Sequence, residues 1–407
     1  MRPLLKSVIV GFVYNIASSL KKHRLYSDFT EVRNRLARHQ FVCWIAGGAV
    51  RDFCLNRKVS EFDLVTDATT EILKGLFPEA LLVGESFGVL KIPLAGGDFF
   101  DLTTFRQESD YFDGRRPSHV SAATPVKDSE RRDFTINSLF WDSVRDVIID
   151  YRGGLADLSL KRLICVGNPE VRFAEDFLRI IRLVRFAAQL NFEIEEETNS
   201  AAVRHFAEVN NVSGERIWAE LKKISTPIAW NFIIERRLFA LIMQQIFGTQ
   251  EIKLKRVPDA VTNFFVILYL LNPEADLSEI LKDRLRVSNQ ELNEYKMIRF
   301  LMTDLAKMTV EEVAFEREKL PLFARLMDVL IESGLVAVEL GKEVERLFQL
   351  YPVPLITPKE VLDLMPSRYI KEEMKFLRIG QFKKSCTTKD EAVEYLKKKY
   401  AEKPANT

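Results

Sequence analysis

The sequence predicts an α+β protein, in which a mixed head of short strands and helices precedes an all-helical remainder. Two changes along the chain carry this. From about residue 30 to 160, short runs rich in β formers alternate with glycines and turns. After about residue 161 glycine is sparse, long helical patterns dominate and no convincing strand is visible. A chain of 407 residues is also too long for one compact core, so several domains are expected.

The elements follow in order. The N-terminal arm is basic, with Arg2, Lys6, Lys21, Lys22 and Arg24 ahead of the first acid, Asp28, and it carries a mostly apolar stretch from Ser7 to Leu20. Tyr14 and Asn15 interrupt that stretch, which favours an amphipathic helix or arm over a targeting peptide. Phe41 to Ile45 predicts a buried strand, as do Ala80 to Val83, Gly88 to Ile92, Phe99 to Phe105 and Val147 to Asp150. Helices are expected over Glu175 to Leu190, Glu215 to Ser225 and Ala260 to Leu271. Pro352, Pro354 and Pro358 punctuate a linker into the last helices. The final forty residues, from Arg368, hold eleven Lys or Arg against six acids, a solvated helix face or a surface for RNA.

Composition excludes several function classes. The 59 basic residues nearly cancel the 58 acidic ones, which rules out a polycationic nucleic-acid coat but not local basic patches. Cys43, Cys54, Cys165 and Cys386 lie far apart without a CxxC pair, so neither a disulfide scaffold nor a cysteine-rich zinc site is expected. The four histidines form no HxxxH doublet, and no apolar run reaches the length of a membrane span.

Chemistry concentrates in five segments. Ala46-Gly47-Gly48-Ala49-Val50-Arg51-Asp52 follows an expected strand; a glycine pair admits a phosphate close to the backbone, and Arg51 adds charge. Its spacing is neither GxGxxG nor GxxxxGKS, and alone it is also simply a turn. In Ser60-Glu61-Phe62-Asp63, residues i and i+2 of a strand face one side, so Glu61 and Asp63 present two carboxylates able to hold Mg²⁺ with substrate phosphates. Asp101 supplies a third if its strand runs alongside, enough for a two-metal site; the bland alternative is the wet face of a strand. Arg131-Arg132-Asp133-Phe134-Thr135-Ile136-Asn137 groups donors suited to a triphosphate and ribose, or an exposed salt-bridge cluster. Asp150 to Asp157 reads as a structural turn or hinge between head and helices.

The fifth segment is the most informative. In Glu175-Asp176-Phe177-Leu178-Arg179 and onward through Arg182 and Arg185, polar residues recur every third position among apolar ones. On one helix this makes a polar stripe on a largely buried cylinder, either a cleft for an anionic ligand or an internal salt-bridge ladder. Asp176 only accepts hydrogen bonds and Arg179 only donates. Cytosine and adenine each pair an exocyclic amine with a ring-nitrogen acceptor and match that couple, whereas guanine and uracil set a carbonyl against the carboxylate.

Together, GGAVRD, ExD, RRDFTIN, DYRGGLADL, EDFLRIIRLVRF and Ser213-Gly-Glu-Arg-Ile-Trp-Ala-Glu-Leu221 resemble the class II tRNA nucleotidyltransferases, the CCA-adding enzymes and their relative bacterial poly(A) polymerase. The likeness spans about Phe41 to Leu221. It implies a polymerase-β-like nucleotidyltransferase head followed by helical neck, body and tail, with an arm at 1–27, head at 28–160, neck at 161–225, body at 226–310 and tRNA-binding tail at 311–407. It implies catalytic carboxylates at Glu61 and Asp63, with Mg²⁺ on both, and the strand reading above adds Asp101 as a third catalytic acid. Nucleotide-binding positions fall on Gly47, Gly48, Arg51, Arg132, Asp133 and Asn137. Asp176 and Arg179 match the base-reading pair, and Arg182 and Arg185 the neck arginines. The implied activity is template-independent CCA addition to tRNA 3′ ends from CTP and ATP, without DNA or membrane partners, in the cytoplasm, with mitochondrial targeting by the arm left open. The alternatives are a poly(A) polymerase, favoured by Ile136-Asn-Ser-Leu and Gly167-Asn-Pro-Glu170, and a weakly active RNA-binding relative. The segment Asp110 to Ala122, including Arg115-Arg-Pro117, resembles the family's flexible loop. Two departures stand out: Glu61 occupies a position usually held by Asp, and Met365 to Phe382 lacks a glycine-rich turn.

Overall fold

A seven-stranded mixed sheet organises the first half of the chain, as the short β-rich runs predict. The computed structural model describes residues 20–83, 88–94, 96–111, 117–224, 226–234, 246, 256–259, 263–365 and 367–400. Most of the apolar stretch Ser7 to Leu20, and Arg115 and Arg116, lie outside the described residues. Two compact units are present, Met1–Ile224 with Phe232–Thr249, and Ser225–Asn231 with Gln250–Thr407.

In chain order the strands of the first unit are β1 (Trp44–Ala46), β2 (Asp63–Thr66), β3 (Leu81–Val83), β4 (Val89–Pro93), β5 (Phe99–Thr104), β6 (Arg106–Tyr111), β7 (Pro117–Ala122), β8 (Leu139–Asp142), β9 (Val147–Asp150), β10 (Arg162–Leu163) and β11 (Glu193–Ile194). The large sheet runs β3-β4-β5-β2-β1-β8-β9, and only β2 and β5 are parallel neighbours. The helices are α1 (Tyr26–Ala37), α2 (Gly48–Cys54), α3 (Thr70–Leu76), α4 (Pro125–Glu130), α5 (Gly154–Ser159), α6 (Pro169–Glu175), α7 (Leu178–Leu190), α8 (Glu196–Arg204) and α9 (Gly214–Leu221).

Strand alternation divides the sheet into two unlike faces. Ile45, Leu64, Leu90, Ile92, Phe100, Leu102 and Trp141 are buried on one of them. Phe29 of α1 meets Trp141 and Phe62 with ring centroids 6.2 Å apart in each case, and Phe62 stacks on Phe100 at 6.1 Å. The other face has an apolar end, where Trp44, Ala46, Val65, Phe105 and Phe140 cluster, and a charged end beside it.

Five expectations need correction. The first strand begins at Trp44 rather than Phe41, and the β2 ladder begins at Asp63, leaving Glu61 on the segment ahead of it. Leu139–Asp142 is a strand, although its residues read as the tail of a polar constellation; Phe140 and Trp141 are the β-forming signal there. On the described residues flanking 112–116, the loop-like segment is instead paired strand, with Arg106 opposite Ala122 and Tyr111 opposite Pro117. Its polar residues carry no hydrophobic alternation, so the backbone ladder leaves no trace in the sequence. The helical region contains β10 and β11, a parallel pair of two residues each, too short for any periodicity. Finally, the expected helix from Glu175 to Leu190 is two helices. Asp176 is extended (φ −155°, ψ 102°), and its carboxylate accepts the Leu178 N–H at 3.1 Å, the local bond by which Asp starts a helix.

Among the described residues of the second unit, every regular element is helical. Capping boxes at Ser288–Glu291, Thr309–Glu312 and Thr357–Glu360 fix three helix starts. Val361, Met374, Leu377, Ala392 and Leu396 form a core there. No helix among the described residues is long and apolar enough to cross a membrane.

Candidate active site

Five residues on five adjacent strands form one cross-strand row. Lys91 on β4 pairs with Asp101 on β5, Asp101 with Asp63 on β2, Asp63 with Ala46 on β1, and Ala46 with Phe140 on β8. Directly paired residues share a face, so two acids and a lysine stand beside the turn that begins at Gly47. Phe62 turns into the core, which sends Glu61 and Asp63 to its other side.

Asp101 lies beside Asp63 as the sequence predicts, but Lys91 donates to its Oδ1 at 2.6 Å. Among the described residues, no group of three or more His, Cys, Asp or Glu gathers closely enough to hold a metal. Asp63 and Asp101 thus stand side by side on parallel strands, with Asp101 held in an ion pair by Lys91. Lost hydration pushes the Asp63 carboxyl up to about 6; the charges of Glu61 and Asp101 add to this, while Arg132 and Lys91 oppose it. One side of Asp63 remains open to solvent. Hard oxygen donors carrying surplus negative charge are a donor set suited to a divalent cation whose shell is completed by other oxygens.

The glycine turn is specified by contact as well as by backbone. Gly47 has φ +67° and ψ −122°, and a Cβ there would stand 2.9 Å from Arg132 Nη1. Gly47→Ala is therefore expected to lower stability by about 2 kcal/mol and displace Arg132, measurable as a drop in thermal midpoint. Arg132 donates to Asp128 Oδ2 at 3.0 and 3.1 Å and lies over the Phe140 ring. Asp128 is fully buried, and Arg131 also holds it.

A continuous polar chain leads from α2 to α9. Arg51 donates to Asn137 Oδ1 at 2.5 Å, and Asn137 Nδ2 donates to Asp133 Oδ1 at 3.0 Å. Arg182 donates twice to Asp133 Oδ2, at 2.6 and 2.8 Å, and also to Glu220 Oε1 at 3.3 Å. Arg185 donates to Glu220 Oε2 at 2.5 Å. Burial works to raise the Asp133 carboxyl, but Arg182 and the bonds from Asn137 and the Phe134 N–H overcome it and hold it at about 2. Arg51, Arg182 and Arg185 all lie over the Phe186 ring, at 4.8, 5.2 and 3.8 Å from its centroid.

The Arg179 N–H donates to the Asp176 carbonyl at 3.0 Å, and their side chains take other partners. Asp176 Oδ2 accepts from Arg216 at 2.7 Å, while Arg179 donates to Glu175 Oε2 at 2.6 Å and to the carbonyls of Arg172 and Arg131. The internal ladder and the ligand stripe, weighed as alternatives, thus involve the same arginines. Sequence reasoning missed Lys91, Asp128, Phe186, Arg216 and Glu220 as parts of the assembly. Arg216 and Glu220 stood within the quoted Ser213 to Leu221 segment; Asp128 showed only as an acid three and four residues ahead of two arginines.

The turn from Asp150 is structural. Its Oδ1 accepts the N–H groups of Arg152, Gly153 and Gly154 at 2.9–3.1 Å, and its Oδ2 that of Leu155 at 3.0 Å. A Cβ at Gly154 would lie 2.2 Å from the Thr135 carbonyl oxygen, so the turn packs directly on the Arg131–Asn137 segment.

Two family models match the chain: the poly A polymerase head domain over residues 43–164, and a probable RNA and SrmB binding site of polymerase A over 191–225. The CCA-adding enzyme of Lactococcus lactis subsp. cremoris is 32% identical over 339 residues, covering 80% of this chain and 82% of that one. That of Staphylococcus saprophyticus is 31% identical over 277 residues, covering 67% and 69%. Among solved structures, the Bacillus stearothermophilus CCA-adding enzyme in complex with CTP superposes with a TM-score of 0.72 at 22% identity, covering 93% of this chain and 98% of that one. The Thermotoga maritima CCA-adding enzyme complexed with tRNA gives 0.64 at 19% identity, covering 95% and 98%. These structural likenesses establish the nucleotidyltransferase fold.

Proposed function

The chain belongs to the CCA-adding enzyme family, and we propose that it is a template-independent tRNA nucleotidyltransferase that adds C, C and A to tRNA 3′ ends from CTP and ATP. The observation that carries this reading is the hydrogen-bonded chain Arg51–Asn137–Asp133–Arg182–Glu220–Arg185, which begins at the helix following the glycine turn beside the acids and ends on the arginines of α7. One assembly thereby joins Arg51, beside the glycine turn, to the neck arginines Arg182 and Arg185.

Glu61 and Asp63 are assigned as the residues that hold Mg²⁺. When bound, the ion neutralises charge on the triphosphate and on the departing pyrophosphate. Arg132, kept in place by Asp128, faces the glycine turn and binds phosphate oxygens there; Arg51 supports the same region through Asn137. The tRNA 3′ hydroxyl attacks the α-phosphate, and the bond to pyrophosphate breaks. Asp176 accepts from the exocyclic amine of C or A, and Arg179 donates to the neighbouring ring nitrogen. Arg216 orients the Asp176 carboxylate, so the pair acts once a base enters and Arg179 turns from Glu175. The reading includes the arm at 1–27, head to 160, neck to 225, body to 310 and tRNA-binding tail to 407, and a protein working in the cytoplasm alongside its substrates.

Purified protein given tRNA lacking CCA and one labelled nucleotide at a time is expected to incorporate C and then A. GTP and UTP are expected to be used at least ~100-fold less well, because each leaves the Asp176 carboxylate facing a lone pair. Equal use of UTP would defeat the base-reading assignment. Long products from ATP alone would move the assignment to a poly(A) polymerase, the activity that the head-domain model describes.

A further inference from the structure

The lysine at the end of the acidic row has a consequence for cation binding. Lys91 lies between Leu90 and Ile92, both buried in the core, so alternation fixes it on the face that carries Asp101 and Asp63. Its ammonium takes Asp101 Oδ1 at 2.6 Å, and both side chains are about two-fifths exposed. A carboxylate in an ion pair is a poorer cation ligand, and the ammonium also repels a cation arriving two strands away. We propose that Lys91 sets the cation affinity of this site by withholding Asp101, so that the protein alone offers Glu61 and Asp63 and gains a third carboxylate ligand only when the lysine is removed.

This rests on the reading of Glu61 and Asp63 as the cation-holding acids. Its mechanism is competition for one oxygen. A solvent-accessible ion pair is weak, so the effect is moderate rather than absolute. A site with two carboxylates binds a divalent ion loosely and fills its shell from the nucleotide's phosphates, so ion and nucleotide bind together more tightly than either alone. Lys91 therefore acts as a positioning residue, through Asp101.

The test is Mn²⁺ binding to the full chain without nucleotide, followed by the electron paramagnetic resonance signal of free Mn²⁺. Lys91→Met is expected to bind Mn²⁺ about tenfold more tightly than the wild type. Lys91→Met combined with Asp101→Asn, which replaces the pair by neutral groups and restores the original net charge, is expected to return to within about threefold of the wild type. Lys91→Thr should repeat the tightening with a better strand former, and thermal melting of each variant checks that it is folded. Unchanged Mn²⁺ affinity in a folded Lys91→Met or Lys91→Thr protein overturns the proposal. So does a double variant that binds far more weakly than the wild type, because Asp101 would then already be a ligand. Asp63→Asn separates the two levels: if wild-type Mn²⁺ binding survives it, the cation-site reading fails, whereas if it abolishes binding and Lys91→Met has no effect, only the role of the lysine fails.

Discussion

Asp63→Asn is expected to lower nucleotide incorporation by about 10³-fold or more, without loss of fold. The change keeps side-chain volume and shape and removes one formal charge. Asp63 opens β2 and joins the sheet through its backbone, which pairs with β1 on one side and β5 on the other; the side chain takes no part in that ladder. In activity, the loss corresponds to about 4 kcal/mol of transition-state stabilisation, the scale expected when one of two ligands of a charge-neutralising ion is removed. In stability, the sign is opposite. The Asp63 carboxyl is pushed up to about 6 in the folded chain, so folding favours its protonated form. Such a group weakens the fold as pH rises from the ordinary carboxylate range through 6, and above that the charged form is carried at a cost. Asparagine removes this cost, so the melting temperature at pH 7.5 should hold level or rise. Single-turnover incorporation and thermal unfolding on the same preparation check both halves. A variant that loses activity together with its melting transition would mean that Asp63 is structural.

That opposition explains which parts of the site were legible in the sequence. Glu61, Asp63 and Asp101 stand out because alternating acids in β-rich segments conflict with the local hydrophobic pattern, and the parallel pairing of β2 with β5 brings Asp63 and Asp101 side by side. Gly47 and Arg132 were each visible as a motif residue, but their contact was not, since 85 positions separate them and only the fold supplies the 2.9 Å approach. Lys91 was invisible for a different reason. A lysine in a five-residue strand looks like an ordinary solvated position, and its meaning comes entirely from the Asp101 opposite. The stripe of α7 placed Arg179, Arg182 and Arg185 on one helix but gave the wrong helix start. Three-residue spacing carries through a short break, so the periodicity could not reveal that Asp176 lies between two helices instead of riding on one. The hairpin β6–β7 had no apolar face to announce it. Patterns report burial well, and they report polar partnerships only when the partners are neighbours in sequence.

The second large effect falls on Asp133. Asp133→Asn is expected to lower stability by about 2–3 kcal/mol and incorporation by about 100-fold, with the melting temperature of the first unit falling by roughly 5–10 °C. Asp133 is buried, and its Oδ2 is the anchor for two donors of Arg182. Asparagine offers one acceptor oxygen, already claimed by the Phe134 N–H and by the geometry of Asn137, and an amide that cannot balance a guanidinium. Arg182 would then lean on Glu220 alone, which also serves Arg185 and Lys223. The disturbance reaches Arg51 through Asn137, so binding of the triphosphate and of the base weaken together. The pH dependence has a definite sign. The folded carboxyl sits at about 2, below the ordinary value of 3.8, so its charged form stabilises the fold by an amount on the order of 2 kcal/mol. That contribution is fully present above pH 3.8 and disappears as pH falls through 2. The gap in unfolding free energy between wild type and Asp133→Asn should therefore be constant from pH 7 to about pH 5 and narrow from pH 4 downward, measured by denaturant titration at each pH. A gap that widened on acidification would mean that Asp133 is protonated in the native protein and that Arg182 draws its balancing charge from Glu220.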